Sequence, residues 1–159
     1  MALKIARLVN LVLAGMLTGN EFGSWRTVHP ALDQLPLPAR VQAEQAVTRR
    51  YGRIMPFFMS AAIVSFLPVL ALSRDRSSSP FRLSLAGMLC YAGMLGITLT
   101  RNLPINNTLL ALSPGTTANE EFEALRSRWD RLHTVRNLLN IVGLIVTIVG
   151  ALSGARSTR

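Results

Sequence analysis

Trp129, His133, Arg136 and Asn140 are separated by four, three and four residues, a spacing that lays them in one stripe along a helix. Asn102 and Asn106 are also four apart, with Pro104 between them. A proline there removes a backbone donor and frees a carbonyl, which can then bind a ligand or a neighbouring side chain. Glu21, preceded by Asn20, and His29 complete a set of polar residues set into apolar surroundings. Ionisable groups in such places are costly and face a cavity or a partner. Glu21 is the natural partner of Arg101 or Arg136, because few other acids reach the same depth. Two kinds of chemistry suit these residue types. Histidine titrates in the range a general base needs. Alternatively, Glu21, His29 and His133 make a two-histidine, one-carboxylate set of the kind that holds iron or copper, without the compact spacing of a recognised metal motif. No nucleophile-elbow motif supports a serine hydrolase.

Each residue also has a plain structural reading. Arg101 and Arg136 could be interfacial anchors that snorkel to headgroups. Trp129 could belong to an aromatic belt, and His29, before Pro30, could be a loop residue. The asparagines could simply bridge helices, at about 0.6 kcal/mol each. It is their convergence that points to a site.

The elements that must position them are four apolar helices. Half of the 159 residues are apolar and 16% are charged, below the ~25% of a water-soluble domain, and the mean hydropathy is +0.34. The formal charge of +9 does not point to nucleic acid, because the basic residues flank the apolar segments rather than forming one run. The single cysteine, Cys90, excludes an intramolecular disulfide and a Cys-rich metal site. Spans of about 20 residues are expected at 5–22, 54–72, 83–100 and 133–153, the whole chain forming one transmembrane domain. Pro68 should kink the second span, and Ser, Gly and Ala within the spans suit close packing in lipid. Lys4 and Arg7 before an apolar run resemble a signal peptide, but the run continues into Gly19-Asn20-Glu21 without a convincing cleavage site. The expected architecture is all-α: a four-helix transmembrane bundle, an additional amphipathic helix over 38–51 in the first outer loop, and a fourth helix extended back to Asn119. That helix should follow a turn at Ser113-Pro114-Gly115-Thr116-Thr117, with Asn119 as its cap and acids in its first turn. Lys4, Arg7, Arg74, Arg76, Arg82, Arg156 and Arg159 share one side with Asp75 as its only acid, which places both termini in the cytoplasm of a multi-pass cell-membrane protein.

Antiparallel connectivity brings the polar residues together. The end of span one, the start of span two, the end of span three and the start of span four share one side. Asn20, Glu21 and His29 follow or end the first span. Arg101, Asn102, Asn106 and Asn107 end the third, and Trp129, His133, Arg136, Asn137 and Asn140 open the fourth. The opposite side holds only Asn10 besides its basic flanks.

The stretch Thr100-Arg101-Asn102-Leu103-Pro104-Ile105-Asn106-Asn107, followed by Trp129-x3-His133-x2-Arg136, with Gly19-Asn20-Glu21 and His29-Pro30 upstream, resembles the four-helix membrane family DUF1772, which includes the anthrone oxygenases. The resemblance spans nearly the whole chain. It implies insertion of oxygen from O2 into an anthrone to give an anthraquinone, without an added cofactor. Under that implication His133 or His29 is the base that takes a proton from the acidic CH2. Arg136, Arg101, Asn102 and Asn106 offer positive charge and N–H donors to the enolate oxygen. Trp129 stacks on the flat substrate, with Asn140 and Asn20 beside it. A cavity open to the bilayer would suit a lipophilic small molecule. The competing expectation is a non-enzymatic membrane subunit or small-molecule binder, whose polar cluster holds helices or a partner. Transport is a third, requiring a homo-oligomer packed through Gly87, Gly93 and Gly96.

Overall fold

The computed structural model describes residues 1–113 and 119–156, with the side chains of Asn119, Ala155 and Arg156 left aside. The proposed Pro114–Thr117 turn and the Asn119 cap lie outside the described residues. The described chain is helical, and four of its helical stretches are long and apolar enough to cross a membrane. The protein is an all-α, multi-pass membrane protein.

The first stretch comprises α1 (Ala2–Gly23), a π-helical segment (Ser24–Val28) and α2 (His29–Leu32). Pro30 cannot donate a hydrogen bond to the preceding turn, and the helix widens ahead of it instead of stopping. His29 is therefore helical and buried, not a loop residue. The third stretch repeats the device: α5 (Ser79–Ile97), a π-helical segment (Thr98–Asn102), then α6 (Leu103–Ala111) with Pro104 in its first turn. Ser78 caps α5 by accepting a hydrogen bond from the Phe81 backbone N–H. In the connection before it, the Ser77 hydroxyl and backbone N–H hold the exposed Asp75 carboxyl below the usual aspartate range.

The second stretch corrects one expectation. The amphipathic segment does not form a helix of its own in the first outer loop; α3 runs unbroken from Leu37 to Val64. Between the polar segment and the span lie only Gly52 and Arg53. Gly52 is of a type that often ends a helix, but no Pro, Asn, Asp or Ser stands beside it to complete a turn, and the helix continues through it. Pro56 is accommodated inside α3. The break comes at Ser65, and α4 covers Phe66–Ala71. Pro68 explains its place, because it cannot donate to the carbonyl of Val64, where α3 ends. At the break, the Ser65 hydroxyl donates to the Ala62 carbonyl at 2.7 Å and accepts from Asn10 Nδ2 at 2.8 Å. The extended fourth helix is present as α7, Asn119–Arg156.

Small residues bring α5 and α7 together. A Cβ on Gly87 would meet the Thr147 hydroxyl, the Gly143 carbonyl and the Phe66 ring, and one on Gly143 would meet Cys90 and Tyr91. This is the close backbone approach that helix association in lipid favours. Gly87→Ala is therefore expected to destabilise the protein by roughly 1–3 kcal/mol, read as a lowered melting temperature in detergent. Gly19→Ala is the control, since a Cβ there meets nothing within 4 Å. The central core contains Ala14, Leu17, Met55, Met59, Phe66, Tyr91 and Met94. Tyr91 is anchored within it by donating to the Ala14 carbonyl and pairing with the Thr18 hydroxyl. Outside, Leu8, Met16, Phe57, Leu89, Ile145 and Leu152 are exposed, while Asn10, Glu21, His133, Arg136 and Asn140 are buried. Apolar outside and polar inside is the distribution a bilayer requires.

A second cluster, Val41, Leu109 and Phe122, packs the polar end of the bundle. Gln45 Nε2 donates to the carbonyls of Leu109 and Leu112 at 3.0 and 2.8 Å, satisfying the end of α6. Arg40 joins Asp33 to Glu123, both at 2.6 Å. This end is held firmly where the site lies.

Candidate functional site

A cavity of about 270 Å³ opens at that end. Its polar wall carries Glu21, His29, Asn106, Trp129, His133 and Arg136. The facing wall is α3, which contributes Val47, Thr48, Tyr51, Met55 and Met59. Leu95, Leu99 and Leu103 close a third side. The chamber is mainly apolar, with polar groups gathered on one side, as ligand sites commonly are.

Arg136 Nη2 donates to both carboxylate oxygens of Glu21, at 2.9 and 2.8 Å. Both residues are buried, so each charge is compensated by the other across the first and last long helices. Arg136 Nη1 has no protein acceptor among the described residues.

The two histidines are held differently. His29 Nδ1 lies 3.1 Å from Glu44 Oε1. A carboxylate can only accept, so Nδ1 is the donor in this contact, and in the neutral tautomer Nε2 then holds the lone pair. Glu44 is fully buried and is also held by Arg126 Nη1 at 3.4 Å. Arg126 in turn donates to Asp130 at 2.7 Å. His133 Nδ1 is 3.6 Å from Glu21 Oε2, and its Nε2 is 3.4 Å from Asn137 Nδ2. Both nitrogens of His133 are beside protein groups, and its buried Nδ1 makes no hydrogen bond among the described residues. His29 Nε2 makes no hydrogen bond among the described residues, and the side chain lines the cavity.

Trp129 lies beside both rings, with centroids 4.5 Å from His29 and 4.3 Å from His133. Its indole N–H donates to Asn106 Oδ1 at 2.9 Å. That bond fixes the orientation of the amide, leaving the Asn106 Nδ2 donors for another acceptor. The Arg126 guanidinium lies 4.5 Å from the Trp129 ring centroid, a cation–π contact that adds to its hold.

The family model described as anthrone oxygenase matches residues 45–146, more than half of the chain. The chain belongs to the anthrone oxygenase family. A curated relative, an anthrone oxygenase of Claviceps purpurea (strain 20.1), is 29% identical over 154 residues, covering 92% of this chain and 88% of the relative. No solved structure matches the chain. The segment matched by the anthrone oxygenase model contains the α3 wall, Asn106 and the Trp129–His133–Arg136 stripe.

Of the residues expected from sequence, the fold brings Glu21, His29, Asn106, Trp129, His133 and Arg136 to the cavity. Asn102 and Asn140 are buried but are not among the residues lining it, and neither amide has a hydrogen-bond partner among the described residues. Asn20 and Arg101 are exposed and lie outside it. Glu21 has Arg136 rather than Arg101 as its partner. Among the described residues, no group of three or more His, Cys, Asp and Glu side chains is placed to hold a metal ion. The proposed Glu21–His29–His133 set divides between two carboxylates, since His29 pairs with Glu44 and the Glu21 oxygens are already held by Arg136. These residues do not fit a two-histidine, one-carboxylate metal centre.

Glu44, Arg126 and the whole α3 wall were not foreseen. Arg126 was within reach of the periodicity, since it precedes Trp129 by three residues and extends the stripe by one turn. Glu44, Thr48, Tyr51 and Met55 likewise recur at four, three and four residues, a helical face that only makes sense if α3 is continuous with the span.

Proposed function

We propose that this protein oxidises, with O2, a lipophilic aromatic molecule bearing an acidic CH2 beside a ring ketone, as in an anthrone. The observation that carries the reading is His29: a buried imidazole on the cavity lining, held at Nδ1 by Glu44 and with no hydrogen bond at Nε2 among the described residues. His29 Nε2 takes a proton from the CH2. The electron pair delocalises onto the ketone oxygen, where Asn106 Nδ2 and Arg136 Nη1 can donate hydrogen bonds. Trp129 offers a flat surface to the ring system. The electron-rich carbon passes one electron to O2, and the resulting radical pair combines to form a C–O bond. The peroxide is protonated by His29. Loss of the second hydrogen from the same carbon, with cleavage of the O–O bond, yields a carbonyl and water. The balance is CH2 + O2 → C=O + H2O, and no external reductant is needed.

His133 acts in this scheme through Glu21 and Arg136, holding one wall of the cavity rather than moving the proton. Both termini lie on the cytoplasmic side of the cell membrane, as the short basic segments at that end favour.

The test is O2 uptake by purified protein in lipid vesicles supplied with emodin anthrone, with quinone formation followed by absorbance. One O2 consumed per quinone formed is expected. Absence of uptake, in a protein that co-purifies with another membrane subunit, would favour the non-enzymatic reading instead. Within the active protein, Asn106→Leu removes a donor from the enolate and the acceptor of the Trp129 N–H. A fall in kcat of about a hundredfold is expected, measured under saturating substrate. An unchanged kcat would remove Asn106 from the reaction.

A further inference from the structure

The exposed part of the cavity lining lies on two neighbouring helices. Gly52, Pro56 and Ser60 of α3 line the cavity and are exposed, four residues apart along one edge. On the third long helix, Leu99 and Leu103 line it with 55% and 45% of their surfaces exposed. All five lie in helices long and apolar enough to cross a membrane. An apolar side chain exposed there meets lipid, and Phe57, 80% exposed beside Pro56, does the same. The depth of the opening is marked by arginines. Arg49, Arg50 and Arg53 on α3 and Arg101 on the third helix are exposed, and none has an ion-pair partner among the described residues. Unpaired guanidinium groups at a bilayer surface settle among the phosphates. His29, Glu21, His133 and Arg136 are buried, on the inner wall of the same chamber.

We infer that the opening between α3 and the third helix is a lateral portal. A flat lipophilic molecule enters through it from the bilayer, just beneath the headgroups, and Gly52 sets its width. A Cβ at Gly52 meets nothing within 4 Å, so a larger side chain projects into the opening instead of displacing a packed neighbour. The chemical class of the substrate rests on the proposed function; the route rests on the exposed lining.

The experiment separates the two by following entry without turnover. Trp25→Phe leaves Trp129 as the remaining tryptophan of the two, and Trp129 lines the cavity. Proteoliposomes of this variant are mixed with 1,8-dihydroxyanthraquinone, already oxidised, and the rate of Trp129 quenching is recorded. Lateral entry predicts a rate that follows the mole fraction of quinone in the lipid when the lipid-to-protein ratio is varied. Gly52→Phe should slow quenching by about tenfold or more, as narrowed access lowers association rates, with Gly52→Ala intermediate. Leu89→Phe, on a surface exposed away from the cavity lining, should leave the rate unchanged. A Gly52→Cys variant lacking Cys90, labelled after folding with a bulky maleimide, gives the same block independently of any folding defect. No quenching in the parent protein, an equal rate after blocking residue 52, or a rate that follows the aqueous quinone concentration overturns the portal. O2 uptake with an anthrone, measured separately, tests the reaction itself.

Discussion

Arg136→Met should destabilise the folded protein by about 3–5 kcal/mol, the cost of stranding a buried charge. Glu21, 3% exposed, would lose the cation that donates to both of its oxygens at 2.8 and 2.9 Å. His133, 3.6 Å away, is too distant to replace it with a strong hydrogen bond. Glu21→Gln alone should also destabilise, since it leaves the guanidinium buried without a countercharge. The double variant Glu21→Gln/Arg136→Met should recover much of the loss, because a buried pair replaced as a whole is often nearly neutral. Unfolding in mixed micelles, read by circular dichroism, provides the double-mutant cycle. If the two losses simply add, the pair does not hold the first and last helices together.

The second large effect is on turnover. His29→Ala should lower kcat by about 10³–10⁴, the upper part of the range for a general base, with little change in melting temperature relative to the Arg136 variant. Glu44→Gln should follow in the same direction but by less, because an amide oxygen can still accept the Nδ1 proton while losing the charge that steadies the imidazolium. His133→Ala, which removes a wall residue, should cost only about tenfold in this scheme. The order of the three variants is the informative result. A His133 effect far larger than that of His29 would move the proton transfer to His133 and its Glu21 neighbour.

Much of this site was legible from residue order. Apolar runs long enough to cross a bilayer fix which segments are helices, and their alternation requires Glu21, Asn106 and His133 to share one end. The scarcity of acids at that depth narrows the partner of Glu21 to Arg101 or Arg136, and the fold selects Arg136. Glu44 is not legible as a site residue when its segment is read as a helix of the outer loop. Its burial depends on α3 being continuous through Gly52, a residue whose type reads as a helix end and whose helical state is decided by packing. The π-helical segments were also hidden. Pro30 and Pro104 announce a disturbance, but whether a helix stops, bends or widens depends on what packs around it. Widening over Thr98–Asn102 buries Asn102 and leaves Arg101 exposed, so the choice between Arg101 and Arg136 as the partner of Glu21 could not be made from spacing alone.

The Glu21–Arg136 bond joins residues 115 positions apart, and this has a consequence for synthesis. At typical elongation rates of about 5–20 residues per second, Glu21 leaves the ribosome on the order of ten seconds before its arginine. During that interval the first helix carries an acid with no countercharge, so it waits near the insertion machinery or the lipid surface in a hydrated position. Only when the last helix arrives can the carboxylate withdraw from water. The fourth transmembrane segment is thus the one that commits the first to its place, and a chain cut short before Arg136 would present quality-control proteases with an unsettled first helix.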